Sequence, residues 1–463
     1  MTSGDSSRVD CLVVGGGLAG LLAAYDAARA GKTVQLFEAA KHCGGAISSI
    51  DIAGVRIDSG AESFATTRPE TLALIEELGL SEKVVTPARS DARIYSQGNA
   101  YLIPHGMMGI PSDLSDPHTI AILGSDAAQE AALLDSAPWN ITDEKTLGAV
   151  VAKRMGAAVV EKIVNPIVAG VHASDSYLLE MESLVPGLLA KARELGSLHV
   201  AVRELRGGAS RPGSAVAGIA GGMNLLTRAL YAKLLEHGVK ISQESAVTKV
   251  SRQSDGSWMT ITNNQQVRST YLVLATNPVV ARNLLKDFPV IADLLAPITP
   301  IDVALVIMAV RAKRLEQVPL GSGILIAQAE QMPVVAKAST HASAKWEWVK
   351  NAAGDFDIVR FSYGRNGVVD PSDENLLKAA ASDLVAIYGV EHPEIIEARV
   401  VRWPQSLMQA QVGHQDNLKK IRETLTLEPT LRGLAIVGSG VSGNGIAGVI
   451  GRTRHDMKGL LNV

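Results

Sequence analysis

Arg8 to Glu38 read RVDCLVVGGGLAGLLAAYDAARAGKTVQLFE, and the architecture follows from the order of residue types in that segment. An apolar run, Cys11 to Val14, meets three glycines, Gly15, Gly16 and Gly17, with a fourth at Gly20. A helical pattern covers Leu18 to Ala30 and stops at Gly31. A second apolar run, Thr33 to Phe37, ends in Glu38. Strand, glycine turn, helix, strand and acid make the first half of a dinucleotide-binding βαβ unit. Gly15 permits the tight turn, Gly17 lets a pyrophosphate approach the backbone, and Gly20 lets the helix pack closely. Leu18 and Ala19 open the helix, where free N–H groups and a partial positive charge face the phosphates. Glu38, followed by Ala39, stands where a carboxylate accepts ribose hydroxyls. An acid there, rather than an arginine, points away from NADP and leaves NAD and FAD open.

The rest of the composition narrows the class. A chain of 463 residues is expected to divide into two or three domains. The formal net charge of −3 implies no bulk affinity for nucleic acid or acidic membranes. Aromatic residues make up only 4%, so aliphatic side chains must hold any large flat ligand. Cys11 and Cys43 form neither a disulfide framework nor a zinc cluster, and no metal site is expected. Residues 1–7 lack an apolar signal core, and the apolar runs are strand length, so no membrane span is expected and a cytoplasmic location is.

Along the chain, Gly44-Gly45 follow Glu38, and a hairpin turns at Gly54. Pro69 to Leu78 reads as a helix stopped by Gly79. Residues 116–206 read as mostly helical and interrupt the strand–helix rhythm. A helix runs from Gly221 to His237, and strands follow at Val239–Ile241, Ala246–Arg252, Trp258–Thr262, Gln266–Ser269 and Tyr271–Ala275. Residues 302–402 alternate strands with one good helix, Ser372 to Tyr388. The strand Gly433–Val437 then feeds GSGVSGNGIAGVIGR, Gly438 to Arg452, with a helix expected only after it.

Glycine-rich turns near both ends suggest a nucleotide gripped from both ends of the sequence, which suits extended FAD better than NAD. The chain here resembles the FAD-dependent protoporphyrinogen/coproporphyrinogen oxidases, of actinobacterial type, within the flavin amine-oxidase group. The first and last glycine segments are common to the whole group. GAESF at 60–64, LIPHGMMGIPSDL at 102–114, NPIVAGVHASD at 165–175, GGMNLLTRAL at 221–230, LVLATNP at 272–278 and RWPQSLMQAQVGH at 402–414 complete the likeness. The resemblance implies an α/β fold. A discontinuous Rossmann-like FAD-binding domain would span 1–90, 215–297 and 400–463, and a mixed-sheet substrate domain 91–115 and 298–399. Residues 116–214 would be the inserted helical domain. Gly438, Gly443, Gly445, Ile446 and Ala447 would join the cofactor site, with Val247 near adenine and Trp403 near the flavin. Two departures stand out. Ala46 replaces a basic residue that many relatives set against the phosphates, a contact of ~1–3 kcal/mol. The C-terminal motif lacks the proline that usually follows its GxGI core.

By the same resemblance, the reaction removes six electrons from a porphyrinogen in haem biosynthesis, as three hydride transfers to flavin, with dioxygen as acceptor and peroxide released. Flavin N5 carries the transfer, and no conventional acid–base residue is required. Arg68, His172 and Met408 are the candidates to meet substrate. For Arg68 the alternative is an exposed arginine before a helix; for His172, a satisfied or solvent-facing histidine. Coproporphyrinogen III is the expected substrate and protoporphyrinogen IX the alternative. A ferrochelatase contact and peripheral attachment at the inner face of the membrane remain open. No cysteine follows Cys43, which excludes the C-terminal cysteinyl-flavin link of monoamine oxidases, so FAD is expected to be noncovalent. A noncovalent polyamine oxidase and a non-enzymatic binding protein of related fold are the distant alternatives.

Overall fold

The computed structural model describes residues 7–89, 91–207, 216–317, 320–328 and 334–462. Most of the expected N-terminal polar segment and the boundary expected at 214–215 lie outside the described residues.

The chain opens with β1 (Ser7–Val14), α1 (Leu18–Arg29) and β2 (Val34–Phe37), then the hairpin β3 (Ser49–Ile52) and β4 (Val55–Asp58), and α2 (Pro69–Glu77). Next come β5 (Ala92–Ser96) and β6 (Asn99–Leu102). A helical block follows, including α3 (Leu147–Met155), α4 (Asn165–His172), α5 (Leu188–Leu195) and α6 (Leu198–Arg206). Beyond it lie α7 (Asn224–Glu236), β7 (Lys240–Ser242), β8 (Val247–Arg252), β9 (Trp258–Thr262) and β10 (Gln266–Leu274). The second half adds β11 (Pro300–Arg311), β12 (Gly323–Ile326), β13 (Ala338–His341), α8 (Glu347–Ala353), β14 (Asp357–Tyr363), α9 (Asp373–Tyr388) and β15 (Glu394–Met408). It closes with α10 (His414–Leu427), β16 (Leu434–Ile436) and α11 (Ile446–Leu461).

The first sheet has the order β7-β2-β1-β10-β9-β8, with β16 also pairing β10. Strands β7, β2, β1, β10 and β16 run parallel, while β8 and β9 form an antiparallel flap on β10. Parallel strands covered on both faces read as continuous apolar runs, and the side chains of β1 divide accordingly. Cys11 and Val13 join Leu21, Leu22, Leu226 and Ile450 under α1, α7 and α11. Leu12 and Val14 join Phe37, Trp258, Leu418 and Leu434 on the other face. The second sheet, β15-β11-β14-β13-β12-β5-β6, carries α9 on one face and the β3–β4 hairpin with α8 on the other.

The helical block has its own apolar core and a buried polar latch. Arg154 and Asp135 are both fully buried, with the Arg154 Nε 3.3 Å from Asp135 Oδ1. The arginine also donates to the carbonyls of Ala137, Pro138 and Gly196 at 2.9–3.2 Å. Asp135 in turn accepts from Leu198 N and Ser197 Oγ, which anchors the start of α6.

Four differences from the sequence reading have local causes. The strands expected at Gln266–Ser269 and Tyr271–Ala275 are one strand, because the polar Arg268–Thr270 stretch stays in register with β1 throughout. Helix α11 begins at Ile446, well before Arg452. Its Gly448 and Gly451 serve close packing rather than a loop: a Cβ on Gly451 would lie 3.3 Å from Glu70 Oε1 of α2. β15 runs through residue 400 without a break, so Trp403 and Met408 sit at the end of a strand of the second sheet. The stretch 302–402 holds helical turns at Ala342–Lys345 and α8 besides α9.

Candidate functional site

The site begins where β1 ends. Gly15 turns the chain with φ +104°, and a Cβ there would fall 2.4 Å from Ala275 O. Gly20 lies on that turn, where a Cβ would meet Gly15 O at 1.8 Å. Gly17 differs: a Cβ on it would meet nothing nearer than the Gly45 Cα at 3.9 Å, so open space lies before it. The second glycine pair forms the other wall. Gly44 N donates to Gly16 O at 2.8 Å, and Gly17 and Gly44 form a parallel bridge. The first helical bond of α1 runs from Leu21 N to Gly17 O at 2.9 Å, which leaves the N–H groups of Leu18, Ala19 and Gly20 free at the turn. Backbone donors, a helix N-terminus and no side chains form a cradle for a diphosphate.

Glu38 closes one end of the cradle. Its carboxylate is fixed by Gly16 N at 2.5 Å and Ala40 N at 2.7 Å, which leaves acceptor capacity for hydroxyls. The loop from β7 to β8 wraps it, with Ser245 N donating to Glu38 O at 2.9 Å. Ala39 is exposed beside it, and Val247 packs at the edge of the cluster holding Val14 and Phe37. Ala46 is exposed with no charged side chain; its carbonyl accepts from Ala61 N at 3.0 Å.

The C-terminal turn completes the cradle. A Cβ on Gly438 would stand 3.7 Å from the Ala19 Cβ, so this turn lies over the start of α1. Gly443 and Gly445 have φ +82° and +101° and no neighbour within 4 Å of a Cβ. Ile446 and Ala447, both buried, open α11. Asn444, between the two glycines, binds β15 through both faces of its amide: Nδ2 to Met408 O at 2.7 Å and Met408 N to Oδ1 at 3.2 Å. The sequence reading overlooked this clamp. Trp403 is a second tie, donating from Nε1 to Ser59 O at 2.8 Å.

Two cavities continue from there and share Ser63. One, of about 460 Å³, is lined by Arg68, His172, Met408 and the Gly443–Gly448 turn. The other, of about 420 Å³, lies between Gly60–Ser63, Gly170–Val171 and the second sheet at Thr340 and Arg360. The three substrate candidates therefore line one cavity. Arg68 is exposed in front of α2. His172 ends α4; burial, aided by the Lys337 charge, pushes its imidazole down to about 4, so it is neutral at physiological pH. Its carbonyl accepts from Gln409 Nε2 at 3.0 Å. Lys337 donates to Gly170 O at 2.9 Å, and burial pushes its ammonium down to about 8.

Arg422 also lines the first cavity, and the sequence reading did not select it. Its signal was present: Leu418, Ile421, Arg422 and Leu425 recur at helical spacing, so this arginine shares the apolar face of α10. A larger cavity, of about 770 Å³, lies between β16, α10 and α11. Of the glycine-rich segments it takes in Val441 and Arg452 and no glycine of the cradle, so the cradle's chemistry rather than cavity size locates the site.

Residues 18–452 match the family of flavin containing amine oxidoreductases. The chain belongs to that family. It is accordingly a flavin-dependent oxidoreductase. It is 31% identical to the coproporphyrinogen III oxidase of Mycobacterium tuberculosis over 95% of this chain and 94% of that protein. It is 30% identical to the coproporphyrinogen III oxidase of Mycobacterium leprae over 98% of each. Among solved structures, an Exiguobacterium protein assigned provisionally to protoporphyrinogen oxidase superposes with a TM-score of 0.85 at 28% identity, over 99% of both chains. Among the described residues no helix is long and apolar enough to cross a membrane.

Proposed function

We propose that this oxidoreductase binds FAD noncovalently and oxidises coproporphyrinogen III to coproporphyrin III, with dioxygen taking the electrons. The observation that carries the substrate class is the cavity beyond Ser63, which combines apolar walls with two guanidinium groups, Arg68 and Arg422. A colourless macrocycle bearing four propionates needs both features.

Each part of the cleft has a role in this reading. The N–H groups of Leu18, Ala19 and Gly20 take the diphosphate, with Gly17 and Gly45 keeping the approach clear and Gly15 and Gly44 making the turns on either side. Glu38 takes the adenosine ribose, while Ala39 and Val247 flank the adenine. Gly438, Gly443, Gly445 and the start of α11 at Ile446 and Ala447 face the flavin end, and Trp403 supports it. The bound flavin supplies the hydride acceptor. His172, held neutral by its burial, and Met408 form the wall that excludes water and orients the ring, while Arg68 and Arg422 pair with propionates. Noncovalent attachment suits a chain whose two cysteines lie in β1 and beside the glycine cradle.

The test compares Arg68→Met and Arg422→Met with wild type on both porphyrinogens. Each substitution is expected to raise KM for coproporphyrinogen by roughly tenfold or more, with a smaller effect on protoporphyrinogen, which has fewer propionates. Equal effects on both substrates would remove these arginines from propionate recognition. Turnover of protoporphyrinogen alone would reverse the substrate assignment.

A further inference from the structure

Two charged side chains that line the second cavity, Glu62 and Arg360, form a cluster with Lys345, which does not line it. Glu62 stands in the loop that contributes Gly60–Ser63. Lys345 reaches it from the turn after β13, with Nζ to Oε1 at 2.5 Å. Arg360 reaches it from β14, pairing through Nη1 with Oε2. The same guanidinium donates from Nη2 to Gly60 O at 2.7 Å, and its Nε has no acceptor. All three are nearly buried, with side-chain exposures of 15% for Glu62, 13% for Lys345 and 7% for Arg360. Burial alone would push the Glu62 carboxyl up; its two cations outweigh that and hold it at about 2. One further carboxyl acts on the cluster: Asp58, which burial pushes up to about 6, with Arg360 opposing that rise and Glu62 adding to it.

The placement joins two halves of the molecule. Glu62 and Gly60 belong to the segment leading from the β3–β4 hairpin to α2, on the cofactor side. Lys345 and Arg360 belong to the second sheet and its connection. The clasp therefore lies where the two sides meet, on the wall of a cavity that opens at Ser63 toward the Gly443–Gly448 turn. A buried ion cluster costs desolvation, and hydrophobic residues of similar volume often hold as well. Arg360 lines this cavity and keeps an unbonded Nε, so its charge calls for a role beyond holding the halves together.

We propose that Glu62, Lys345 and Arg360 are positioning residues that fix the loop beneath the flavin and raise its reduction potential. The inference rests on the FAD reading. Hydride transfer brings two electrons and one proton to the flavin and takes them from the substrate carbon, so negative charge develops on the cofactor when the anion forms. Fixed cations in a low-dielectric wall stabilise that charge, whereas water would have to reorganise around it. The potential should then depend on the charges of Arg360 and Lys345 rather than on their shapes.

The experiment is spectroelectrochemical titration of the FAD-loaded, full-length protein at neutral pH, with bound FAD counted beforehand. Arg360→Met and Lys345→Met should each lower the flavin midpoint potential, while Arg360→Lys and Lys345→Arg should keep it near the wild-type value. The Lys345 pair serves if Arg360→Met does not fold. A flavin-loaded Lys345→Met protein at the wild-type potential overturns the inference, as does a charge-keeping variant that falls as far as its Met counterpart. A wild-type protein that takes up no FAD overturns the cofactor reading and this inference together.

Discussion

At the residue scale, the glycines of the first turn separate folding from binding. Gly17 faces empty space, whereas Gly20 is filled to contact by Gly15 O. Gly17→Ala should therefore leave the thermal midpoint of the apoprotein within about 1 °C of wild type while weakening FAD by roughly tenfold or more, since the methyl takes the diphosphate's approach. Calorimetry of the apoprotein and FAD titration check the two halves separately. Ala46 offers the opposite change. It is exposed beside the cradle, and Ala46→Lys should tighten FAD by ~1–3 kcal/mol, read by the same titration at low salt. The placement of Gly15, Gly17 and Gly20 at the turn and of Glu38 at the end of β2 was legible because motif spacing fixes it. Arg422 was not selected, since a single arginine on an apolar helix face looks like snorkelling. Nor was Asn444, whose clamp joins residues 36 positions apart.

At the scale of elements, the parallel core of the first sheet could be read directly from its apolar runs, and the caps of α2 and α9 from Pro69 and Ser372. The misread elements share a cause. Gly448 and Gly451 signal a loop in the sequence but act as contact points, Gly448 against Ser442 O and Gly451 against Glu70 of α2, and the polar Arg268–Thr270 stretch signals a break inside one strand. The second sheet was the least legible. Its order mixes strands from residues 92–102 with strands after 300, and no local pattern encodes such pairings. In the helical block, the buried Arg154 latch joins α3, α6 and the segment around residue 137. Arg154→Met should cost ~3–5 kcal/mol, because it leaves Asp135 buried with its cation removed. Urea unfolding followed by circular dichroism measures it. A loss below about 1 kcal/mol would mean that Ser197, the Leu198 N–H and His199 satisfy the carboxylate without the arginine.

For the whole molecule, acid stability follows from carboxylates held low in the native state. Glu62 and Asp135 are both held at about 2, below their ordinary values of 4.5 and 3.8. In the native state each binds protons more weakly than in the unfolded chain. Their stabilisation is therefore fully present above the ordinary carboxylate range and is lost as pH falls through it toward about 2. Glu62→Gln should destabilise the protein at neutral pH, and its deficit should shrink on acidification through that window. Thermal midpoints across the pH series check this; a deficit independent of pH would contradict the clasp's ionic character. Purified protein loaded with FAD, incubated in air with coproporphyrinogen III or protoporphyrinogen IX and followed by porphyrin fluorescence and peroxide release, is predicted to show a flavin spectrum. Coproporphyrin III should form faster than protoporphyrin. A protein without bound flavin, or one that oxidises protoporphyrinogen faster, would contradict the account.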